Sequence, residues 1–347
     1  MKSTYVVGEI GQNHNGSMVL AKEIIDRAAR PVVDQLFGNK LKPMDAVKFT
    51  KRDLDQELSA SEMNRPYDSP NSFGKTYGEH REALELSDEQ HYELYQYAKD
   101  KGLDFVETLC APKCVSLFKY FKPDKLKVAS RDLTNLPLLD VLAKTQIPLI
   151  ISTGMAGTKE LDQALEVISK YHDDVSILHC VSQYPTEYKN VNLKTIIYLK
   201  ERYDKFSIGY SDHTIGIMAP IAAVSMGAEI IEKHITLDRE MRGSDQQCSL
   251  GPEGISRMMR DIRNLEKAFG KDGMFIEEDV EDARVKLERS IATIRELPEG
   301  HIIKSDDLHL LSPGNGFKWN QKNEIIGQKL VKNIDANEVI YPSHLEE

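Results

Sequence analysis

The sequence predicts an α/β protein built as a (β/α)8 TIM barrel, followed by a small β-rich domain. Short β-branched or apolar runs alternate with longer segments of helical periodicity, a pattern typical of parallel βα units. Eight such units in about 250 residues match the usual size of this barrel. A doubly wound sheet is the main alternative, but neither a glycine-rich dinucleotide fingerprint nor a P-loop follows any predicted strand.

The predicted barrel elements follow one another in strict order along the chain. The strands are short and bounded by turn residues, and we place them at 5–9, 46–50, 104–108, 125–130, 148–152, 175–180, 206–210 and 229–234. The segments between them carry apolar residues at helical spacing, notably 18–29, 88–101, 159–171, 193–203 and 215–226.

Two segments interrupt this regular alternation. Residues 30–43 contain two prolines that break the helical period, so we interpret them as an inserted surface loop or helix extension. Residues 64–82 are rich in turn residues where the barrel places a βα loop. Loops of this length inside a compact domain are usually functional, so this one is a candidate part of the active site.

The end of the chain differs in character from the barrel. We predict a barrel domain at 1–270, a linker at 271–286 and a small β-rich domain at 287–347. Within that last domain, 296–308 resembles 333–345: each has an apolar residue, a turn, an apolar pair and a second turn ending in Leu. A core of this size is marginal, so docking to another subunit is plausible.

Composition excludes several classes of protein. The formal net charge of −10 disfavours nucleic-acid binding, which needs a basic surface. No apolar run approaches the roughly 20 residues of a membrane helix, and the N-terminus does not resemble a signal peptide. Four cysteines in 347 residues suggest a reducing compartment. We therefore expect a cytoplasmic globular protein with no membrane or nucleic-acid partner.

Polar side chains stand at the end of nearly every predicted strand. Active sites of TIM barrels lie at the C-terminal ends of the strands, so these residues are the candidate site. They are Glu9, Lys48, Thr108, Lys127 with Ser130, Ser152, Ser182 with Tyr184, Ser211 with His213, and Glu232 with His234.

Lys48 and Lys127 lie inside apolar strands and must find an anion, because burying an unpaired lysine is costly. With the neighbouring hydroxyls they predict a pocket for a small substrate that carries a phosphate, a carboxylate or both. The alternative is internal ion pairing with Glu9, Glu107 or Glu232.

His213 and His234 end the last two strands and should be neighbours at the barrel rim. Two imidazoles there suit a divalent metal such as Mn²⁺. His179 lies in mid-strand and is expected to be a core residue. Cys110 and Cys114 lack the second pair that a zinc site needs.

Several segments resemble the sialic acid synthase family in order and spacing. In the barrel these are EIGQNHNGS, AVKF, KVAS, ISTGM, LHCVSQYPT, IGYSDHTIG, EKHITLD and GSDQQCSLGP. The tail, RSIATIRELPEGHIIKSDDL followed by SPGNG, resembles that family's antifreeze-like (SAF, β-clip) domain.

The resemblance implies condensation of phosphoenolpyruvate with an N-acylmannosamine-type aldehyde by a domain-swapped homodimer, in which each SAF domain covers its partner's barrel mouth. It also implies roles for individual residues. His213 and His234 would bind Mn²⁺ or Mg²⁺, and Glu9, Tyr184 and Asp245 would face the sugar. Phosphoenolpyruvate would be held by Lys48, Thr108, Lys127, Ser130, Ser152, Ser182 and Ser211. Glu9 is also our candidate for handling the proton of the water or hydroxyl.

The acceptor sugar is less well specified. Ser312 stands where bacterial members have an Arg that reaches the acetamido group, and 64–87 looks closer to the animal synthases, which take a 6-phosphorylated sugar. Lys75, Arg81 and Arg242 are candidates to hold such a phosphate, or are ordinary surface charges. Alternatives are a synthase for a Kdn-, legionaminate- or pseudaminate-type acceptor, a metal-dependent pyruvate aldolase, and a non-catalytic sugar-binding or interaction protein.

Overall fold

A computed structural model describes residues 3–34 and 37–346. Its contacts divide the chain into two compact units, Met1–Gly270 and Lys271–Glu347. In the described part of the chain, no helix combines the length and the apolar character needed to cross a membrane.

The first unit is a closed barrel of eight parallel strands, which confirms the predicted fold class. Each strand pairs with the next one along the chain, and the last pairs with the first. The strands are β1 (Tyr5–Gly11), β2 (Ala46–Lys51), β3 (Asp104–Leu109), β4 (Lys125–Val128), β5 (Leu149–Ser152), β6 (Val175–Cys180), β7 (Ser207–Asp212) and β8 (Ile230–His234).

Helices surround the barrel and follow its strands. They are α1 (Met18–Ala29), α2 (Asp88–Asp100), α3 (Leu136–Ala143), α4 (Thr158–Ile168), α5 (Thr195–Arg202), α6 (Met218–Ser225) and α7 (Pro252–Ala268). A 3₁₀ helix, Pro112–Lys119, occupies the connection between β3 and β4. The long connection before α2 carries short helices at Leu54–Glu57, Ala60–Met63 and Tyr77–Glu82.

The first helix illustrates how the local sequence sets an element. The Ser17 hydroxyl accepts a hydrogen bond from the backbone N–H of Leu20 at 3.4 Å, and so caps the helix. Apolar residues at helical spacing then face the barrel, and Ala21, Ile24, Ile25 and Ala28 are buried.

Alternation within the strands separates an apolar layer from a polar one. Because successive strand residues point to opposite faces, every second residue enters the barrel. The lower interior layer is apolar and contains Val7, Ala46, Val106, Ile150, Leu178 and Ile230. Two residues further along the same strands come Glu9, Lys48, Thr108, Ser152, Cys180 and Glu232. The period therefore delivers a ring of polar side chains to one end of the barrel.

The inserted segment after α1 is a small hairpin rather than a plain loop or helix extension. Val32–Val33 pairs antiparallel with Lys40–Leu41, and Val32 and Leu41 are buried in the barrel core. The buried side chains of Val32 and Leu41 anchor the insertion to the barrel. Two paired residues in each strand are too few for the sequence pattern to predict strands.

The second unit has its own apolar core. After a 3₁₀ turn (Glu278–Val280) and a short helix (Glu281–Leu287), the strands β9 (Ser290–Thr293) and β10 (Leu308–Leu311) pair antiparallel. The core contains Ile291, Leu297, Ile303, Leu308, Ile325, Leu330, Ile334 and Ile340.

The internal repeat of this unit is structural as well as sequential. Leu297 and Ile334 occupy equivalent repeat positions and exchange both backbone hydrogen bonds, at 2.8 and 2.9 Å. Gly300 and Asn337 are also equivalent, and both adopt the left-handed conformation, with φ of 81° and 64°. Gly and Asn are the residues that tolerate this conformation best, so the two repeats form matching turns.

Candidate active site

A cavity of about 460 Å³ opens at the carboxyl ends of the barrel strands. It brings together most of the residues that the sequence predicted for the site. Glu9, Lys48, Arg81, Thr108, Lys127, Ser130, Ser152, Ser182, Tyr184, Ser211, His213, His234 and Asp245 all line it.

Strand register explains why residues distant in sequence meet here. Glu9 on β1 is the ladder partner of Lys48 on β2 and of His234 on β8. Thr108 pairs in the same way with Lys127. Because partners in adjacent parallel strands lie about 4.8 Å apart, each strand-end side chain has its neighbour's within reach.

Lys48 is held between two carboxylates. Its Nζ lies 3.3 Å from Glu9 Oε2, 3.3 Å from Glu232 Oε1 and 3.5 Å from Thr108 Oγ1. Internal ion pairing with Glu9 and Glu232 therefore occurs in the cavity itself. Glu107, the third partner considered, instead contacts His91 of α2 at 3.0 Å, on the helix-facing side of β3.

Lys127 has a more weakly compensated charge. Its Nζ donates to Ser152 Oγ at 2.7 Å and to the Val128 carbonyl at 3.0 Å, and lies 3.9 Å from Glu232 Oε1. Burial lowers the pKa of Lys127, although the charge of Glu232 opposes the shift. An anion in the cavity would give this ammonium group a closer charge partner than Glu232.

Two buried carboxylates of the cavity, Glu9 and Glu232, have pKa values that move in opposite directions. Burial raises the pKa of Glu9 and outweighs the opposing charge of Lys48. Burial also acts on Glu232, but the charges of Lys127 and Lys48 lower its pKa. Such a divergence separates a carboxyl group that can exchange a proton from one that stays ionised.

The backbone after β5 passes very close to the side chains of Ser130 and Ser182. The backbone N–H of Gly154 donates to Ser130 Oγ at 3.0 Å. A Cβ atom at Gly154 would lie 2.5 Å from Ser182 Oγ and 2.8 Å from Ser130 Oγ, so glycine is required for this approach. On the other side of the cavity, the Ser211 hydroxyl donates to Glu232 Oε1 at 3.0 Å.

His213 and His234 are neighbours, with ring centroids 5.3 Å apart. His213 Nδ1 is 2.8 Å from the Val181 carbonyl, which fixes the ring and leaves Nε2 as its free nitrogen. Among the described residues, His234 Nδ1 is buried without a hydrogen-bond partner and lies 3.9 Å from Asp245 Oδ2.

These histidines fit a divalent metal. Burial lowers the pKa of His234, which favours the neutral imidazole that metals bind. Burial opposes protonation of His213 as well, but the Cys180 sulfur and the Val181 carbonyl raise its pKa. No group of three or more ligating side chains occurs in the described ranges, so the protein would supply only part of a coordination shell.

The three basic residues proposed for a sugar phosphate lie in different places. Arg81 lines the cavity, where its Nη1 donates to Gln12 Oε1 at 2.6 Å. Lys75 and Arg242 are not among the described residues that line it. The Arg242 guanidinium instead lies over the Phe73 ring at 4.4 Å.

Sequence reasoning missed two arginines of the cavity, Arg52 and Arg131. Both lie just beyond the end of a strand: Arg52 follows β2 directly, and Arg131 follows Ser130 after β4. Gln12, Thr50, Asn71 and Ser244 also line the cavity and were not predicted. The position of these residues in the sequence could have identified them, because each βα loop of the barrel starts at the active-site end.

The remaining histidine and cysteine predictions concern the core. His179 Nε2 is 2.6 Å from the Val191 carbonyl, and its ring packs against Tyr210, as expected of a core residue. Cys110 and Cys114 are free thiols buried behind the cavity wall.

Comparison with known proteins adds an independent line of evidence. The NeuB family matches residues 40–273, which is more than half of the chain, and the SAF domain matches residues 288–346. The N,N'-diacetyllegionaminic acid synthase of Legionella pneumophila is 34% identical over 99% of this chain and 94% of its own length. The human N-acetylneuraminate-9-phosphate synthase is 32% identical over 97% of this chain and 91% of its own.

A solved structure agrees with these matches. The N-acetylneuraminic acid (sialic acid) synthetase of Leptospira borgpetersenii, crystallised in complex with citrate, has 28% sequence identity and a TM-score of 0.67. The alignment covers 81% of this chain and 90% of the Leptospira chain.

Proposed function

The chain belongs to the NeuB family, and from that membership we propose that it condenses phosphoenolpyruvate with an N-acylmannosamine or its 6-phosphate. The products are a nine-carbon 2-keto acid sugar and phosphate. The chain is an enzyme of the nonulosonate synthase type, since its relatives over nearly the whole length are named as such synthases. The single observation that carries the proposed substrate is the pair of buried lysines in a cavity lined with hydroxyls.

Phosphoenolpyruvate matches this cavity by charge and size. It carries a phosphate and a carboxylate on three carbons, and the proposed site offers Lys48 and Lys127 together with serine and threonine hydroxyls. Hydrogen bonds from charged donors to such oxygens are the strong ones. The proposed contacts are Lys48, Thr108, Lys127, Ser130, Ser152, Ser182 and Ser211.

The reaction needs one carbon–carbon bond and one proton exchange at the new hydroxyl. C3 of phosphoenolpyruvate bonds to the aldehyde carbon, whose oxygen takes up a proton. Water adds at C2 and releases one proton, which balances the proton taken up by the aldehyde oxygen. The tetrahedral intermediate then expels phosphate, which carries away the remaining hydroxyl proton, and leaves the 2-keto group. Glu9 is the proposed proton-exchanging residue, because burial raises its pKa while that of Glu232 is lowered.

Tyr184 and Asp245 are proposed to face the sugar. The Tyr184 ring lies 4.0 Å from the His213 ring and 5.8 Å from the His234 ring, between centroids, on the open side of the cavity. Asp245 lines the same side and can accept hydrogen bonds from sugar hydroxyls.

His213 and His234 are proposed to hold Mn²⁺ or Mg²⁺. When bound, the ion supplies Lewis-acid polarisation of the aldehyde carbonyl. A chelator should abolish turnover, Mn²⁺ should restore it, and calorimetry should show Mn²⁺ binding that His213→Ala or His234→Ala removes. Near-native turnover and unchanged Mn²⁺ binding in either variant would exclude that residue as a ligand.

A cytoplasmic, domain-swapped homodimer is proposed from the family resemblance. The segment 274–287 supports the proposed dimer, because it exposes apolar side chains that a second subunit would cover. They are Met274, Phe275, Ile276 and Leu287. Ser312, which stands in place of the family's Arg, donates its hydroxyl to the Leu287 carbonyl at 3.1 Å. Light scattering should give twice the mass of the 39.3 kDa chain, and a monomer would contradict the proposal.

One assay separates the proposed function from its rivals. The enzyme is mixed with Mn²⁺, phosphoenolpyruvate and N-acetylmannosamine, its 6-phosphate or mannose 6-phosphate, and phosphate release is measured with aldose consumption. Stoichiometric phosphate release supports the synthase. A parallel mixture contains pyruvate instead of phosphoenolpyruvate, and aldose consumption there indicates an aldolase. No turnover in either mixture, together with calorimetric binding of the sugar, indicates a non-catalytic protein.

A further inference from the structure

Three arginines line the cavity. Arg52 and Arg81 lie in the connection between β2 and α2, and Arg131 follows β4; we refer to them as the arginine cluster. Arg52 is nearly buried, with 7% of its side chain exposed, whereas 34% of Arg131 is exposed. A cavity wall with three cations needs either permanent anionic partners or an anionic ligand.

Carboxylates hold the cluster from behind. Glu57 ion-pairs with Arg52 Nη1 and lies 3.4 Å from Arg131 Nη2. Glu85 lies 3.6 Å from Arg52 Nε and accepts from its backbone N–H at 3.3 Å. Asp132 Oδ2 lies 3.2 Å from Arg131 Nε. Among the described residues, none of these three carboxylates lines the cavity, whereas all three arginines do. The counter-ions of Arg52 and Arg131 therefore lie outside the cavity lining.

The same network continues to the third arginine. Gln12 Nε2 donates to Glu85 Oε1 at 3.4 Å, and Gln12 Oε1 accepts from Arg81 Nη1 at 2.6 Å. The Tyr77 hydroxyl accepts from Arg81 Nε at 2.9 Å. Because these contacts restrain the guanidinium groups before any ligand arrives, less side-chain entropy is lost on binding.

The Arg131 guanidinium retains donor capacity for a ligand. Arg131 Nη2 donates at 3.0 Å to the Cys110 sulfur, a weak acceptor that a phosphate oxygen can replace. Burial and the positive charges of Arg81, Arg242 and Arg52 lower the pKa of His80 to about 4, which is consistent with a positive local potential.

The cluster lies at the correct end of the cavity to read the acceptor. Arg52 comes four residues after Lys48 along β2 and its extension, which spans about 13 Å of extended chain. Its side chain can reach back toward the cavity. The backbone that carries Arg52 therefore lies beyond Lys48, at the loop end of the barrel.

We propose that the arginine cluster binds a phosphate monoester at the end of the acceptor remote from its aldehyde. This inference rests on the proposed synthase function and narrows its acceptor to a 6-phosphorylated aldose. Planar guanidinium donors match the geometry of phosphate oxygens, and three of them suit a dianion better than a neutral sugar hydroxyl. A 6-deoxy acceptor cannot use this part of the cavity, since it has no oxygen at that end to carry phosphate.

The test compares two acceptors that differ only in the phosphate. With phosphoenolpyruvate and Mn²⁺ saturating, kcat/KM is measured for N-acetylmannosamine 6-phosphate and for N-acetylmannosamine. We expect the wild type to prefer the phosphorylated sugar, and Arg131→Gln to reduce that preference about tenfold or more. Arg131→Lys should retain part of the preference, because it keeps the charge but not the planar donors.

Arg65→Gln is the matched control. Arg65 ion-pairs with Glu62 at 2.9 Å in the same loop region but is not among the described residues that line the cavity. It should leave the acceptor preference unchanged. The proposal is overturned if the wild type prefers the unphosphorylated sugar. It is also overturned if Arg131→Gln and Arg52→Gln prefer the phosphorylated sugar as strongly as the wild type does.

A binding measurement separates failure of this inference from failure of the synthase proposal. N-acetylmannosamine 6-phosphate is titrated calorimetrically into wild type and Arg131→Gln with phosphoenolpyruvate and a chelator present. Binding at least tenfold weaker in the variant supports the cluster even if neither sugar turns over. No binding to the wild type, or equal binding to both proteins, overturns it whatever the turnover assay gives.

Discussion

Two buried lysine side chains dominate the chemistry of the cavity. Taking an ammonium group out of water is costly unless it is paired, and the barrel achieves the pairing differently for each. Lys48 has two carboxylates at 3.3 Å, whereas Lys127 relies on the Ser152 hydroxyl, a carbonyl oxygen and the more distant Glu232. Lys127 therefore has more to gain from an incoming anion.

The first prediction concerns Lys127. Lys127→Met should reduce kcat/KM for phosphoenolpyruvate about 10²–10³-fold, because a preorganised charge facing the substrate is removed. Most of the effect should fall on KM if the lysine mainly binds substrate. Steady-state kinetics with varied phosphoenolpyruvate measures both parameters.

Lys125→Met provides the control on the same strand. Lys125 begins β4 at the opposite end of the barrel, where its Nζ lies 5.5 Å from the centroid of the Tyr5 ring. A comparable loss of activity in Lys125→Met would show that the Lys127 effect reflects damage to the strand rather than a lost substrate contact.

At the residue scale, the sequence predicts side chains within strands better than those beyond them. The two-residue period directs Glu9, Lys48 and Thr108 to one face, so their convergence follows from the barrel itself. Arg52 and Arg131 follow the strand ends, where no period applies and backbone direction depends on the fold. That is why they were missed, while Lys75 was favoured for its place in the long loop and Arg242 for its nearness to Asp245 in the sequence.

A buried ion pair fixes the two strands that end in the proposed metal ligands. Lys233 Nζ contacts Asp212 Oδ2 at 2.6 Å, and both side chains are fully buried. Asp212 also accepts from the Tyr210 hydroxyl at 2.8 Å and from the Thr214 backbone N–H at 2.9 Å. The pair therefore ties β8 to β7 and shapes the turn that carries His213.

The second prediction addresses this pair. Lys233→Met should lower the free energy of unfolding by about 3–5 kcal/mol, since it leaves the Asp212 carboxylate buried without its partner. Chemical denaturation measures the change. Lys205→Met removes an exposed ion pair to Asp173 and should cost about 1 kcal/mol or less. Equal losses in the two variants would contradict the role assigned to burial.

The third prediction concerns the loop after β5. Gly154→Ala should weaken phosphoenolpyruvate binding, because its Cβ would displace Ser130 and Ser182 from their positions in the cavity wall. The close contacts of this Cβ, at 2.5 Å from Ser182 Oγ and 2.8 Å from Ser130 Oγ, should also lower the free energy of unfolding by about 1–3 kcal/mol. KM for phosphoenolpyruvate and thermal unfolding measure the two effects separately.

Gly157→Ala is the control in the same loop. A Cβ there would meet only the flexible end of the Glu160 side chain, at 3.2 Å, so KM should hardly change. If Gly154→Ala binds phosphoenolpyruvate as tightly as Gly157→Ala does, the close approach at Gly154 has no part in the site.

At the element scale, periodic segments could be predicted and short ones could not. The helix at Met18–Ala29 has a cap and a full apolar stripe, and its predicted bounds are confirmed. The pairing of Val32–Val33 with Lys40–Leu41 has only two residues in each strand, so its existence depends on packing of Val32 and Leu41 against the barrel. Local sequence carries little of that information.

At the scale of the whole molecule, two cores of very different size stabilise the two units. The barrel core draws on all eight strands and their helices, whereas the second unit depends on a few aliphatic side chains and on its repeat. The repeat was visible in the sequence because equivalent turns need equivalent residues. The backbone hydrogen bonds between Leu297 and Ile334 were not visible in the sequence, because pairing between repeats depends on the tertiary fold.

The small core makes a single buried carboxylate important to the second unit. Asp307 is fully buried, accepts from the Lys304 backbone N–H at 2.8 Å, and contacts His301 Nε2 at 2.8 Å and the Arg295 guanidinium. Burial alone would raise the pKa of Asp307, but the hydrogen bonds and the charges of His301 and Arg295 lower it below its usual 3.8.

The last prediction follows from the sign of that shift. A carboxylate whose pKa is lowered on folding stabilises the fold fully above its unfolded pKa, and the contribution is lost as pH falls through the folded value. Protection of amides in 290–346, measured by hydrogen–deuterium exchange, should therefore decrease as pH falls below about 4. Asp307→Asn should lower the free energy of unfolding of this unit by about 1–3 kcal/mol at pH 7 and flatten that pH dependence.

Asp306→Asn is the control, because it changes the adjacent, largely exposed carboxylate and should retain the pH dependence. Because the barrel has a separate core, its amides should be unaffected by Asp307→Asn, and an equal loss of protection in both units would contradict this assignment.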